Sequence, residues 1–153
     1  MSDGDADTFR TIYPQLRRFA AVVAASRVEP DDLVQEALAR VLSRSRLEDL
    51  DEPVAYVRRT MLNIVRNEHR RQGRERDALV RLVAVDERDA FVDLSVLDEL
   101  SPRSKAAVYL VDVEGFSITE AAALIGMTNT AARARLSRAR RFLRAQITKE
   151  ADS

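Results

Sequence analysis

Residues able to do covalent chemistry are scarce in this chain. It has no cysteine and a single histidine, His69, which excludes disulfides, thiol nucleophiles and thiolate metal sites. His69 stands in a polar run beside Glu68, and no HExxH, glycine-rich phosphate loop or Ser/His/Asp set accompanies it. An exposed structural histidine is the reading, and no enzymatic activity, cofactor or metal is expected. The side chains with chemistry left to them are arginines. Arg133, Arg135, Arg138, Arg140, Arg141 and Arg144 lie between Thr128 and Ile147 with no acidic residue among them. Their repulsion is not relieved within the helix, and a polyanion would supply the missing counter-charge. Arg66, Arg70, Arg71, Arg74 and Arg76, opposed by Glu68 and Glu75, form a second such group.

The elements that must position these groups can be read from the pattern. Ser117 followed by Glu120 is a capping-box start, Gly126 tolerates positive φ, and Thr128 caps a further helix. Two helices joined so tightly cross steeply, the helix-turn-helix layout. In the second, Ala132, Leu136, Ala139, Leu143 and Ile147 share one stripe, while Arg133, Ser137, Arg138 and Arg141 face away. That outward face suits a DNA major groove, with later arginines on phosphates. A merely solvated arginine face is the bland alternative. The capped partner helix, the glycine turn and the missing carboxylates argue against it.

The other arginine group closes a helix opened by Pro53, whose apolar residues Val54, Val57, Met61, Ile64 and Val65 stop before its cationic end. Upstream, Phe9, Ile12, Tyr13, Leu16, Phe19, Ala20 and Val23 predict an amphipathic helix over about 7–25, bent or divided at Pro14. Pro30, Asp31 and Asp32 open another, with Leu33, Val34, Ala37, Leu38, Val41 and Leu42 inward. Residues 77–93 lose periodicity and gain acids, and read as a linker. Leu94, Leu97 and Leu100 suggest lead-in helical turns, and Ser101 and Pro102 start a helix that runs to Gly115.

Strand-like alternation is absent and glycine and proline are scarce, so the fold class is all-α: two small helical domains, 1–76 and 94–153, joined by a linker. Basic and acidic residues balance at 25 each, so only their distribution informs about partners. No apolar run approaches the roughly 20 residues that cross a bilayer. A soluble cytoplasmic protein is expected.

Three stretches together carry a family resemblance: DDLVQEALARVLSR from Asp31, PVAYVRRTMLNIVRNEHRR from Pro53, and LSPRSKAAVYLVDVEGFSITEAAALIGMTNTAARARLSRAR from Leu100. In order and spacing they resemble the two characteristic regions of bacterial RNA polymerase sigma factors of the extracytoplasmic-function group, as does IYPQLRRFA from Ile12. The resemblance implies a promoter-specificity subunit whose partners are core RNA polymerase and promoter DNA. It makes Asp32, Leu33, Gln35, Glu36 and Leu38 contacts to the polymerase clamp helices. It assigns recognition and opening of the −10 element to Arg58, Arg59, Asn63, Arg66, Asn67, Arg70 and Arg71. Arginines suit backbone phosphates, and Asn63 suits the edge of an unstacked base. The −35 element falls to Asn129, Thr130, Arg133, Ala134, Arg135, Ser137 and Arg138, with Arg135 on the backbone. Such factors are commonly held inactive by an anti-sigma factor, and the resemblance admits one here.

The chain departs from the family pattern in places. Ala131 and Ala132 stand where a Thr-Val pair is usual, and Ala121 where a larger aliphatic is usual. With no Trp, and Tyr56 the only aromatic in its helix, the surface for trapping opened bases is small. Limited melting power and dependence on a well-matched promoter are expected. A stand-alone helix-turn-helix regulator binding a palindrome is the alternative, but it leaves the DLVQE helix without a purpose.

Overall fold

The computed structural model describes residues 1–24, 28–80 and 99–152, with the backbone alone for 72–80. The described residues contain helices and no strand. The first, α1, is Asp3–Val23. It begins earlier than the apolar period suggests, because the Ser2 side chain accepts from the Asp5 amide at 3.1 Å and Asp3 and Asp5 put negative charge at the dipole's positive end. Pro14 lies inside it without dividing it. Ile12 on one side of the proline and Leu16 and Phe19 on the other are all buried, and this packing carries the helix across it. Helix α2, Pro30–Leu42, has proline in its first turn and buries Leu33, Val34, Ala37, Leu38 and Val41. A single 3₁₀ turn, Leu47–Asp49, leads to α3, Pro53–Val80. Gly73 does not end α3, so the first residues of the expected linker continue the helix.

The second half opens with α4, Pro102–Val108, capped by Ser101, whose hydroxyl accepts from the Ser104 amide at 3.2 Å. The expected run to Gly115 is not uniform. Tyr109–Val113 widens into a π-helical turn, with the Glu114 amide donating to the Tyr109 carbonyl at 3.0 Å. Gly115, at φ 78°, then reverses the chain. Helix α5, Ile118–Ile125, and helix α6, Asn129–Ala151, complete the fold. The expected turns at Leu94 and Leu97 and the linker beyond Val80 lie outside the described residues; Leu100 is buried.

Both halves contribute to one buried cluster. Leu16, Phe19, Val57, Met61 and Leu62 from α1 and α3 belong to the same set as Ala106, Tyr109, Leu110, Leu124 and Leu136. The Phe19 and Tyr109 rings meet at 6.2 Å between centroids, joining α1 to the π-helical turn. Leu62, absent from the expected stripe of α3, is buried, whereas Val54 and Ile64 are only partly so.

Candidate nucleic-acid interface

The helix-turn-helix is built as its residue types require. The Glu120 amide donates to the Ser117 hydroxyl at 3.1 Å, and the Ser117 amide donates to a Glu120 carboxylate oxygen at 3.3 Å. Gly126 takes φ 79°, ψ 44°, the left-handed conformation that ends α5 and returns the chain. Thr128 then caps α6 by accepting from the Ala131 amide at 3.1 Å. Ala132, Leu136 and Ala139 are buried against the rest of the unit. Their opposite face carries Asn129, Thr130, Arg133, Ala134, Ser137 and Arg138, all exposed. The Asn129 side-chain amide donates to the Thr119 hydroxyl at 3.0 Å, which fixes its direction.

The remaining α6 arginines are treated differently. Arg135 is half-buried and donates to the hydroxyls of Ser101 at 2.7 Å and Ser104 at 3.3 Å. Arg140 pairs with Asp112, Nε to Oδ2 at 3.0 Å, so the carboxylate missing within the helix comes from the π-helical turn. That hydrogen bond holds the Asp112 carboxyl below its usual range and raises the Arg140 guanidinium. Arg141 and Arg144 remain exposed.

On α3, Asn63, Asn67, Arg70 and Arg71 are exposed and Arg66 is partly so. They lie at helical steps along one side, as a phosphate-tracking surface requires. Arg59 is exposed, with its Nε 3.4 Å from the Leu124 carbonyl. Beside it Leu50, Asp51, Glu52, Ala55, Tyr56 and Arg59 line an open groove of about 500 Å³. Tyr56 is 37% exposed there and presents an aromatic surface. Burial, then Arg103, Arg70 and Arg135, lowers the proton affinity of Arg66. Burial, then Arg103 and Arg138, does the same to Arg135. The two halves therefore bring like charges toward one another.

Helix α2 divides cleanly. Asp32, Gln35 and Glu36 are exposed, and Glu36 accepts from Arg40 at 2.7 Å. Leu33 and Leu38, at 1% and 9% exposure, point into the core.

Arg58 occupies a place that the expected −10 surface does not suggest. It is 1% exposed, and its guanidinium grips Glu114 through Nη1–Oε2 at 2.7 Å and Nη2–Oε1 at 2.6 Å. Nη2 also donates to the Gln15 carbonyl at 3.2 Å, and the charged carbon lies 5.1 Å from the centre of the Phe19 ring. Burial pushes the Glu114 carboxyl up, but hydrogen bonding and charge from Arg58 outweigh it, leaving the group below its usual range. Helical arithmetic contains the signal for this burial. Arg58 falls four residues after Val54, three before Met61 and four before Leu62, on the apolar stripe itself. No feature of the sequence marks Glu114 as its partner.

With the geometry in place, known proteins narrow the reading. Residues 8–75 match the family described as Sigma-70 region 2, and residues 94–143 match Sigma-70, region 4. The chain is 30% identical over 157 residues to the RNA polymerase sigma factor CarQ of Myxococcus xanthus, covering 93% of this chain and 90% of that one. It is 29% identical over 157 residues to the ECF RNA polymerase sigma factor EcfG of Rhodopseudomonas palustris, covering 96% and 87%. The solved structure of the sigma factor RpoE in complex with the anti-sigma factor NepR from Bartonella quintana shares the fold, with a TM-score of 0.66 at 24% identity over 94% of this chain and 96% of that one. The outward arginine face behind a capped helix-turn-helix thus sits in a setting with known relatives: the chain belongs to the RNA polymerase sigma factors of the extracytoplasmic-function group, which bind core polymerase and direct it to promoters.

Proposed function

We propose a division of labour in which residues 1–76 hold the polymerase clamp and the −10 element, residues 94–153 read the −35 element, and residues 77–93 join them. The observation that carries this reading is the exposed face of α6, where Asn129, Thr130, Arg133, Ala134, Ser137 and Arg138 project from a helix anchored by Ala132, Leu136 and Ala139. Arg133 and Arg138 take base edges or adjacent phosphates, and Arg135, tied back to Ser101 and Ser104, takes the backbone. On α3, Asn63 and Asn67 face the opened strand, with Arg59, Arg66, Arg70 and Arg71 on its phosphates. Arg58 joins them only in a conformation that releases Glu114. The groove beside Tyr56 receives an unstacked base, for which one exposed ring is a modest platform. Asp32, Gln35 and Glu36 meet the polymerase, and Leu33 and Leu38 keep that face of α2 rigid from behind.

On this reading the protein performs no catalysis itself and acts in the cytoplasm. Among the described residues no helix is long and apolar enough to cross a membrane. An anti-sigma partner belongs to the proposal too, as RpoE has one in its solved complex.

Each phosphate neutralised contributes roughly −0.9 to the log–log salt slope of duplex binding. Replacing Arg138 with alanine is expected to weaken holoenzyme binding to a −35-containing duplex and flatten that slope by about one. Asn63→Ala should leave closed duplex binding intact and reduce protection of the opened −10 strand in footprints. Equal loss of both signals by either variant would contradict the division of labour.

A further inference from the structure

The buried Arg58 pair has a consequence for how the protein engages DNA, and it rests on the promoter-directing reading above. Elements centred near −35 and −10 lie about 25 base pairs apart, roughly 85 Å of duplex at 3.4 Å per step. A compact chain of this length has a radius of gyration of about 15 Å. With α3 packed against α4 and α5, and α6 packed on both of these, the two reading surfaces cannot span that distance. The halves must separate before both elements are held. The contacts to be broken are the shared apolar cluster and, beside the Phe19 ring, the ion pair of Arg58 with Glu114, made by a guanidinium that the proposed −10 surface includes.

We propose that Arg58 and Glu114 form an internal latch: the π-helical turn of the second half acts as a competitor for a promoter-binding arginine of the first, holding the uncomplexed factor closed. Its asymmetry is specific. The closed arrangement withdraws Arg58 and places the Leu124 carbonyl against Arg59, yet leaves the outward face of α6 exposed. A closed factor therefore keeps its −35 surface and lacks a complete −10 surface, and spurious strand opening by the free protein is suppressed.

The latch is strong but opposed. Its attraction is sheltered from solvent, bidentate and backed by the Phe19 ring and the Gln15 carbonyl. Against it, Arg66 of α3 meets the charges of Arg103 and Arg135 from the second half, and the Nε atoms of Arg58 and Arg103 are buried without a hydrogen-bond partner. Closure thus combines the shared apolar cluster and a well-made ion pair with repulsion that separation relieves. This is the balance expected of a two-state element that a partner can open.

The absence of native cysteine allows clean placement of two labels, at Arg44→Cys and Ala145→Cys, both exposed and outside the assigned surfaces. Pulsed electron spin resonance then reads the distance between the halves in the full chain, alone and with core polymerase. The unaltered junction should give one short, narrow distribution when free and a long one when bound. Glu114→Gln strands a buried guanidinium and should raise the open-to-closed ratio of the free chain at least about tenfold. It should tighten core-polymerase binding correspondingly, because apparent affinity scales with the competent fraction. A free chain already as extended as the bound one overturns the latch, and so does a Glu114→Gln distribution identical to the parent's. Should circular dichroism show that Glu114→Gln unfolds, the parent's free and bound distances still decide, and Glu114→Asp provides a milder variant for which an unshifted distribution overturns the proposal. Failure to bind core polymerase would sink the promoter reading instead, while the distances in the free chain still judge the latch.

Discussion

Carboxylates held below their ordinary range give the molecule a defined response to acid. Glu114 is faced by Arg58, Tyr109 and Arg18, and Asp112 by Arg140 and Arg144. Both have folded-state proton affinities lowered relative to the unfolded chain. Their contribution to stability is therefore fully present above the unfolded values of about 4.3 and 3.9, and is lost as pH falls through the lower folded values. Urea denaturation should show no loss from these groups between about pH 7 and 5, and a decline below about pH 4. Glu114→Gln should lower stability at neutral pH and shallow that acid decline, whereas an acid limb identical in Glu114→Gln and Asp112→Asn to that of the parent would contradict the assignment. At this scale the sequence is an uneven guide. The exposed positions of α6 follow from a stripe of small and aliphatic residues, so the helical period alone orients them. The burial of Arg58 is visible only if the same period is applied to a charged residue, against the habit of placing charge outside. Glu114 gains Arg58 through a contact between the halves, and Asp112 gains Arg140 through a contact between α6 and the π-helical turn; no local pattern encodes either.

Among the elements, the turn between α5 and α6 sets the crossing of the two helices, and Gly126 sets the turn. A Cβ at Gly126 would meet nothing within 4 Å, so substitution there costs backbone strain and no clash. Gly126→Ala should destabilise the protein by about 1–2 kcal/mol, the cost of a left-handed conformation with a Cβ, while Gly126→Asn should lose less. Equal destabilisation by both, measured from denaturant midpoints, would locate the cost elsewhere. The element boundaries marked by Ser101, Ser117, Gly126 and Thr128 were legible because each has a specific backbone duty. Less legible were the continuity of α1 through Pro14 and of α3 through Gly73. The backbone penalty at Pro14 is outweighed by packing on either side, which is a tertiary effect. The π-helical turn of Tyr109–Val113 has no composition of its own to announce it.

For the whole molecule, the decisive feature is that two helical units of known family type share one buried cluster while carrying surfaces that a promoter needs far apart. All-α architecture, the order of the two units and the promoter-directing role were all accessible from motif order, since DLVQE, the α3 arginines and the helix-turn-helix occur together and at the expected spacing. The packing of the halves on each other was not, because the residues that make it are the ordinary apolar faces that each unit would bury in any case. On the proposed reading, core polymerase supplies the separation, and affinity comes from joining two modest grips on one duplex. Promoter direction is read by mapping transcript starts made in vitro by purified core polymerase on genomic DNA, with and without this protein. Its addition should produce a new set of starts, each preceded by a shared pair of elements near −35 and −10; start sites unchanged by addition of the protein would contradict a promoter-directing role.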